Sequence, residues 1–199
     1  MRGRAKNSMI GDIQLEHDFA LLAPVPLGHL HSALGIIEQR EAVCFGSRKF
    51  DVFSDLDGRI EKVRREARDR GEDDKPVPIP VLIYPSGEDE GVRHNYEIAW
   101  FASYIGHEPA DRHGRPLHEE YRPLSTLGES WPTYWYVTSL YPLPAAKRTL
   151  ISKVPKLGRV KATWKPAAVR GPTITGIPNA LSYEKLGYKK LPFLTGGPA

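Results

Sequence analysis

Eighteen prolines and eighteen glycines are spread over 199 residues, and they constrain the chain more than any other feature. Proline removes a backbone donor and fixes φ, and glycine favours turns. At this density long helices are disfavoured; short strands, turns and irregular connections are expected. The chain is long enough to bury a core without staples and corresponds to one domain. Hydrophobic residues at 40 % and charged residues at 26 % fit a globular protein and not disorder, collagen or a coiled coil. The single cysteine, Cys44, excludes an intrachain disulfide and a cysteine-built zinc centre. No stretch has the length of a membrane span, and the N-terminus lacks the apolar run of a secretory signal. A soluble cytoplasmic protein with no membrane partner and no cofactor is the expectation.

Residues 1–17 are polar and aperiodic and read as a flexible arm, so 18–199 form the α+β domain. The apolar run at 19–25, ended by proline, predicts a buried strand. At 29–39, Leu30, Leu34 and Ile37 share a helical face, with Ala33 beside them. Residues 41–45 are strand-like, and Phe50, Val52 and Phe53 suggest another short strand. From 56 to 70 the thin stripe of Ile60, Val63 and Ala67, with charges paired at i, i+4, predicts an exposed charged helix. Strands are expected at 77–84, 96–105 and 134–140, where β-branched and aromatic residues concentrate. Between them, 106–126 is a long polar insertion of a length that is often functional. A short helix at 145–154, a half-buried strand at 159–164 and a helical turn at 182–187 complete the chain. The sum is a small curled sheet or barrel with a few short helices.

Charge is unevenly placed. From Ala145 onward eleven Lys or Arg face one acid, Glu184, a net +10, whereas the first 144 residues carry −6. A polyanion suits that asymmetry, because each neutralised phosphate releases counterions. RNA or DNA is the expected partner and an acidic protein the alternative. The backbone-binding candidates are Lys153, Lys156, Arg159, Lys161, Lys165 and Arg170. Arg159 and Lys161 share one face of the expected strand, and Trp164 lies between Lys161 and Lys165. Basic residues interleaved with an aromatic suit a groove that tracks phosphates and stacks a base. Trp131, beside Pro132 at a loop–strand junction, and Trp164 are the pocket candidates, with Tyr134. Trp100 and Trp135 read as core.

Other chemistry is thinly represented. His107, Asp111, His113, His118 and Glu119 lie close together in the insertion, but their spacing matches no zinc motif. His107, His113 and His118 are metal candidates only in residue type; exposed loop histidines are the expectation. Neither a Gly-x-Ser-x-Gly elbow nor a phosphate loop is present. For a small hydrolase the candidate polar groups are Lys147, Thr126 and Glu97. Binding ranks ahead of catalysis, and a small hydrolase stays open.

The order of elements resembles the PUA-like superfamily, in particular its EVE, YTH and ASCH branches. The matching pieces are the opening strand and helix at 19–39, the strand at 81–86, the aromatic strand at 96–105 and the late strand at 135–143. They span most of the chain without a diagnostic motif. The resemblance implies a barrel-like domain that recognises nucleic acid and holds a modified or flipped base in an aromatic pocket at the barrel mouth. Some ASCH relatives are small hydrolases. A nucleic-acid-binding module is therefore the leading expectation. A hydrolase of a nucleoside-like or amide substrate, or a structural subunit of a phage or defence assembly, are the others.

Overall fold

A computed structural model describes residues 19–71, 79–87, 96–159, 162–165 and 169–178. The expected arm at 1–17, the helical turn at 182–187 and Lys161 lie outside the described residues. The fold is α+β. Its main sheet has the order β2-β6-β5-β3-β1-β8, made from β1 (Phe19–Pro26), β2 (Ala42–Ser47), β3 (Ile79–Ser86), β5 (Trp100–Pro109), β6 (Thr133–Pro142) and β8 (Thr173–Gly176). Only β1 and β3 are parallel; every other neighbouring pair is antiparallel. A two-stranded ladder joins β4 (Glu97–Ile98) to β7 (Thr149–Leu150). The runs read from sequence at 81–84 and 135–140 lie in the main sheet; of the one read at 96–105, only 100–105 do, because Glu97–Ile98 form β4 of the separate ladder.

The sheet does not close into a barrel: β2 and β8 are its two edges. Those edges nevertheless approach each other. A Cβ added to Gly171, just before β8, would stand 3.2 Å from Cε of Lys49, just after β2.

Both faces of the sheet are covered. One face supplies Leu21, Val25, Val43, Val81, Ala102 and Trp135 to a cluster completed by the two helices, α1 (Leu27–Arg40) and α2 (Phe50–Asp69). The other face packs Leu22, Leu82 and Phe101 against Ile151, Val154 and Val169 of the C-terminal segment. In α1, buried Leu30 and Ala33 face this first cluster. Glu41 ends the helix in the left-handed region at φ 62°, its N–H bonded to the Ile37 carbonyl at 2.9 Å.

The helix expected at 56–70 begins earlier, at Phe50, and runs for 20 residues. The short strand suggested by Phe50, Val52 and Phe53 is therefore its first turn. Phe53, Leu56, Ile60, Val63 and Ala67 recur at helical spacing, and Phe53 stacks between Tyr104 and Trp135 at centroid distances of 6.2 and 5.9 Å. Burial of an aromatic stack outweighs the β propensity of a four-residue stretch. The Tyr104 hydroxyl donates to Asp57 at 2.9 Å, which fixes α2 on β5.

The C-terminal segment departs most from the sequence reading. The helix expected at 145–154 is two 3₁₀ turns, Ala145–Lys147 and Ile151–Lys153, on either side of β7. Of the strand expected at 159–164, residues 160–161 lie outside the described residues, and among the others Thr163 makes only an isolated bridge with Pro155. Arg159 sits in a turn and not on a strand face, its N–H bonded to the Lys156 carbonyl. In return the Gly/Pro-rich stretch contains β8, which pairs with Phe19–Leu22 of β1. Among the described residues no helix is long and apolar enough to cross a membrane.

Candidate functional site

A cleft of about 1060 Å³ opens where the sheet edges approach. Its walls come from the C-terminal ends of three strands: Pro24–Pro26 of β1, Phe45–Ser47 of β2 and Tyr84–Ser86 of β3. Arg48 and Lys49 continue β2 into the rim, and Arg170, Gly171 and Pro172 join it there, Gly171 lying against the Lys49 side chain. His29 of α1 and the Thr126–Trp131 turn complete it. Among the described residues, three cations and one carboxylate, Glu129, therefore line a wall that also carries His29, Ser47, Ser86 and Thr126 among apolar and aromatic side chains.

Trp131 is half-buried on this wall. Its ring lies against the backbone of Gly46: a Cβ there would stand 2.7 Å from Nε1, and closer still to Cγ and Cδ1. Only glycine allows that approach. The indole Nε1 donates to Glu129 at 3.0 Å, and the backbone N–H to the Gly114 carbonyl at 3.0 Å. The Arg48 guanidinium lies over the ring, 5.5 Å from its centroid. Deeper in the cleft, Phe45 and Trp135 pack at 5.3 Å. The Trp135 Nε1 is buried and has no hydrogen-bond partner. At the mouth, Tyr96 is 47 % exposed and holds φ at 51°, a strained value for a bulky residue. Its ring faces Tyr84, whose hydroxyl donates to the Val169 carbonyl at 2.7 Å. Burial, and secondarily Tyr96, pushes the Tyr84 pKa up to about 12, so the hydroxyl stays a donor at neutral pH.

The long insertion supports this wall. After β5 the Asp111 carboxylate accepts backbone N–H bonds from Arg115 and His113, both at 2.8 Å. These amides hold its carboxyl below the usual range. Arg122, 3 % exposed, donates from Nε to Thr126 Oγ1 at 3.1 Å and from Nη2 to the carbonyls of Thr126 and Glu129. Its guanidinium also covers the Tyr134 ring at 5.6 Å. A buried arginine thus staples the turn that carries Glu129 and Trp131.

The structure separates the sequence candidates. Trp131 and Arg170 line the cleft. Trp164 does not: it packs with the second cluster, donates to Thr175 Oγ1 at 3.0 Å and lies under Lys156 Nζ at 4.7 Å. Tyr134 is buried, 1 % exposed, its hydroxyl bonded to the Gly114 carbonyl, so it is a packing residue and no part of the cleft wall. Lys153, Arg159 and Lys165 are exposed away from the lining. Thr126 lines the cleft, whereas Glu97 and Lys147 do not, so the three hydrolase candidates are not assembled there.

The histidines also fail to assemble. His107 is held by Asp57 at 3.0 Å and packs on Phe53, His113 meets Arg112, and His118 meets Glu120. Among the described residues no three His, Cys, Asp or Glu converge as a metal site would need. Cys44 is fully buried; desolvation, then Glu108, pushes its thiol up to about 12, leaving it unreactive in the folded state.

Sequence reading missed Arg48, Lys49, His29, Glu129 and Tyr96. The local signal was Ser-Arg-Lys ending a strand at 47–49, which the net negative balance of the first 144 residues hides. Comparison with family models, with curated proteins and with solved structures finds no match for this chain.

Proposed function

We propose that the chain binds nucleic acid, with one base on Trp131 and the phosphate backbone crossing Arg48, Lys49 and Arg170. The observation that carries this reading is the half-buried indole, held on Gly46 beside three cations in a cleft large enough for a nucleotide. A base stacked on such a ring contributes about 1–3 kcal/mol, and each cation on a phosphate adds salt-sensitive affinity. The sequence resemblance to PUA-like domains supports the same reading: a curled sheet with a base pocket at its mouth. Exposed Lys153, Arg159 and Lys165 add positive charge to the segment that supplies Arg170.

Titrating a short oligonucleotide at several salt concentrations tests the backbone contacts. The double variant Lys49→Glu/Arg170→Glu should bind more weakly, with a salt slope shallower by about 2. Arg65→Glu on α2 should leave both unchanged, because that helix alternates its charges. Equal slopes for the wild type and the double variant would remove this surface from the interface. An acidic protein partner would use the same cations without the ring, so it would be insensitive to Trp131→Ala.

A second reading, ester or amide hydrolysis, has its own observation. Ser125 Oγ and His29 Nδ1 share a hydrogen bond at 3.0 Å, and His29 Nε2 faces Glu129 Oε1 at 3.4 Å. In that chain Ser125 Oγ would attack the acyl carbon while its proton passes to His29 and then to the leaving group. Water would then release the acyl group. Ser125 is exposed and the Glu129 side chain is 39 % exposed, so water screens the relay, and binding remains the stronger reading. Turnover of a nitrophenyl ester that disappears in Ser125→Ala would establish hydrolysis. Rates equal in the two proteins would exclude it.

A further inference from the structure

We propose that the base held on Trp131 is guanine, read by Glu129; this rests on the nucleic-acid reading and names its ligand. Among the described residues Glu129 is the one carboxylate on a wall that also carries Arg48, Lys49 and Arg170. A carboxylate beside a phosphate-binding rim weakens any ligand that gives it nothing to accept, and favours one that brings N–H groups.

The carboxylate is already oriented. Its Oε2 accepts Trp131 Nε1 at 3.0 Å, and its Oε1 faces His29 Nε2 at 3.4 Å. The carbonyl of the same residue is held by buried Arg122. An ionised carboxylate has about four lone-pair sites, so each oxygen keeps one for a ligand. The acid that would read the base edge is thereby tied to the ring on which the base would stack.

Guanine is the common base whose Watson–Crick edge offers two adjacent donors, N1–H and the N2 amino group, to the two oxygens of one carboxylate. Adenine and cytosine each offer one amino group there, and uracil one ring N–H. The paired arrangement is the charge-assisted, two-point contact that discriminates best.

The test is equilibrium binding of the four 5′-monophosphates GMP, AMP, CMP and UMP to the full chain, followed by tryptophan fluorescence and by calorimetry. The wild type should bind GMP at least about tenfold more tightly than the other three. Glu129→Gln should level the four by weakening GMP alone, because the amide keeps the shape but replaces one acceptor with a donor. The Trp131→Ala variant should weaken all four together. If the wild type binds all four equally while Trp131→Ala still abolishes binding, the guanine assignment is overturned and the nucleic-acid reading stands. If GMP preference survives in Glu129→Gln, the carboxylate is not the reader and the assignment also falls. If neither the nucleotides nor an oligonucleotide bind, both readings fall together. Thermal unfolding of each variant, run alongside, separates lost contacts from lost fold.

Discussion

Arg122→Ala should lower stability by about 3 kcal/mol and take binding with it, although Arg122 never meets the ligand. The side chain is a buried cation whose guanidinium bonds the Thr126 hydroxyl and the carbonyls of Thr126 and Glu129. Hydrogen bonds to charged groups contribute about 1.5–3 kcal/mol each, and alanine leaves buried acceptors without a donor. For a chain of this size about 3 kcal/mol is a fall in melting temperature of roughly 6–12 °C. The same change frees the turn that carries Glu129 and Trp131, so nucleotide affinity should fall in the molecules that stay folded. Arg122→Lys keeps the charge but not the fork, and should recover part of the stability. A melting temperature within 2 °C of wild type in Arg122→Ala would mean that the turn is held by something else.

Trp131→Ala should reduce oligonucleotide affinity by about 1–3 kcal/mol, or about 5- to 150-fold. Its stability cost should be smaller than the roughly 3–5 kcal/mol of a buried tryptophan, because the ring is half-buried. Gly46→Ala reaches the same result without touching the indole. The new methyl would occupy the space of the ring atoms, so the ring must leave the wall. Trp164→Ala is the counter-case: it removes packing beneath β8 and should leave affinity unchanged. Calorimetric binding and thermal melts on all three variants check the set. Full affinity in a folded Trp131→Ala protein would end the stacking proposal.

Most of the main sheet was legible because those strands are short apolar runs between breakers. Phe19 to Val25 and Val81 to Tyr84 can bury both faces, so alternation is not needed to recognise them. The misread elements fail for physical reasons. Phe50 and Phe53 look strand-like in a four-residue window, and only the continuation through Leu56, Ile60 and Val63 reveals the helical period. The four residues of β8 sit among prolines and glycines, and their partner is β1, so no local signal marks them. Trp131 was legible as a pocket residue because Pro132 marks a junction. Tyr134, three residues on, was not separable from it, because which face of β6 is covered depends on where the insertion folds. Arg122 is the hardest case. Arginine is rarely buried, and the carbonyls that justify its burial belong to the turn that it organises.

The pairing of β1 with β8, from Phe19↔Gly176 to Leu22↔Thr173, has a consequence for how the chain is made. Of the described strands of this sheet, β1 is made first and waits for β8, which is made last. At about 5–20 residues per second that interval is roughly 8–30 s, long against the folding of the intervening helices and hairpins. Throughout it the outer edge of β1 presents backbone donors and acceptors to any other extended chain. Pro24 and Pro26 remove donors from the far end of that strand, which leaves Phe19 to Leu22, the four residues that β8 covers, as the adhesive stretch. Nascent chains halted before Thr173 should therefore be the aggregation-prone species and the natural clients of a holdase during synthesis.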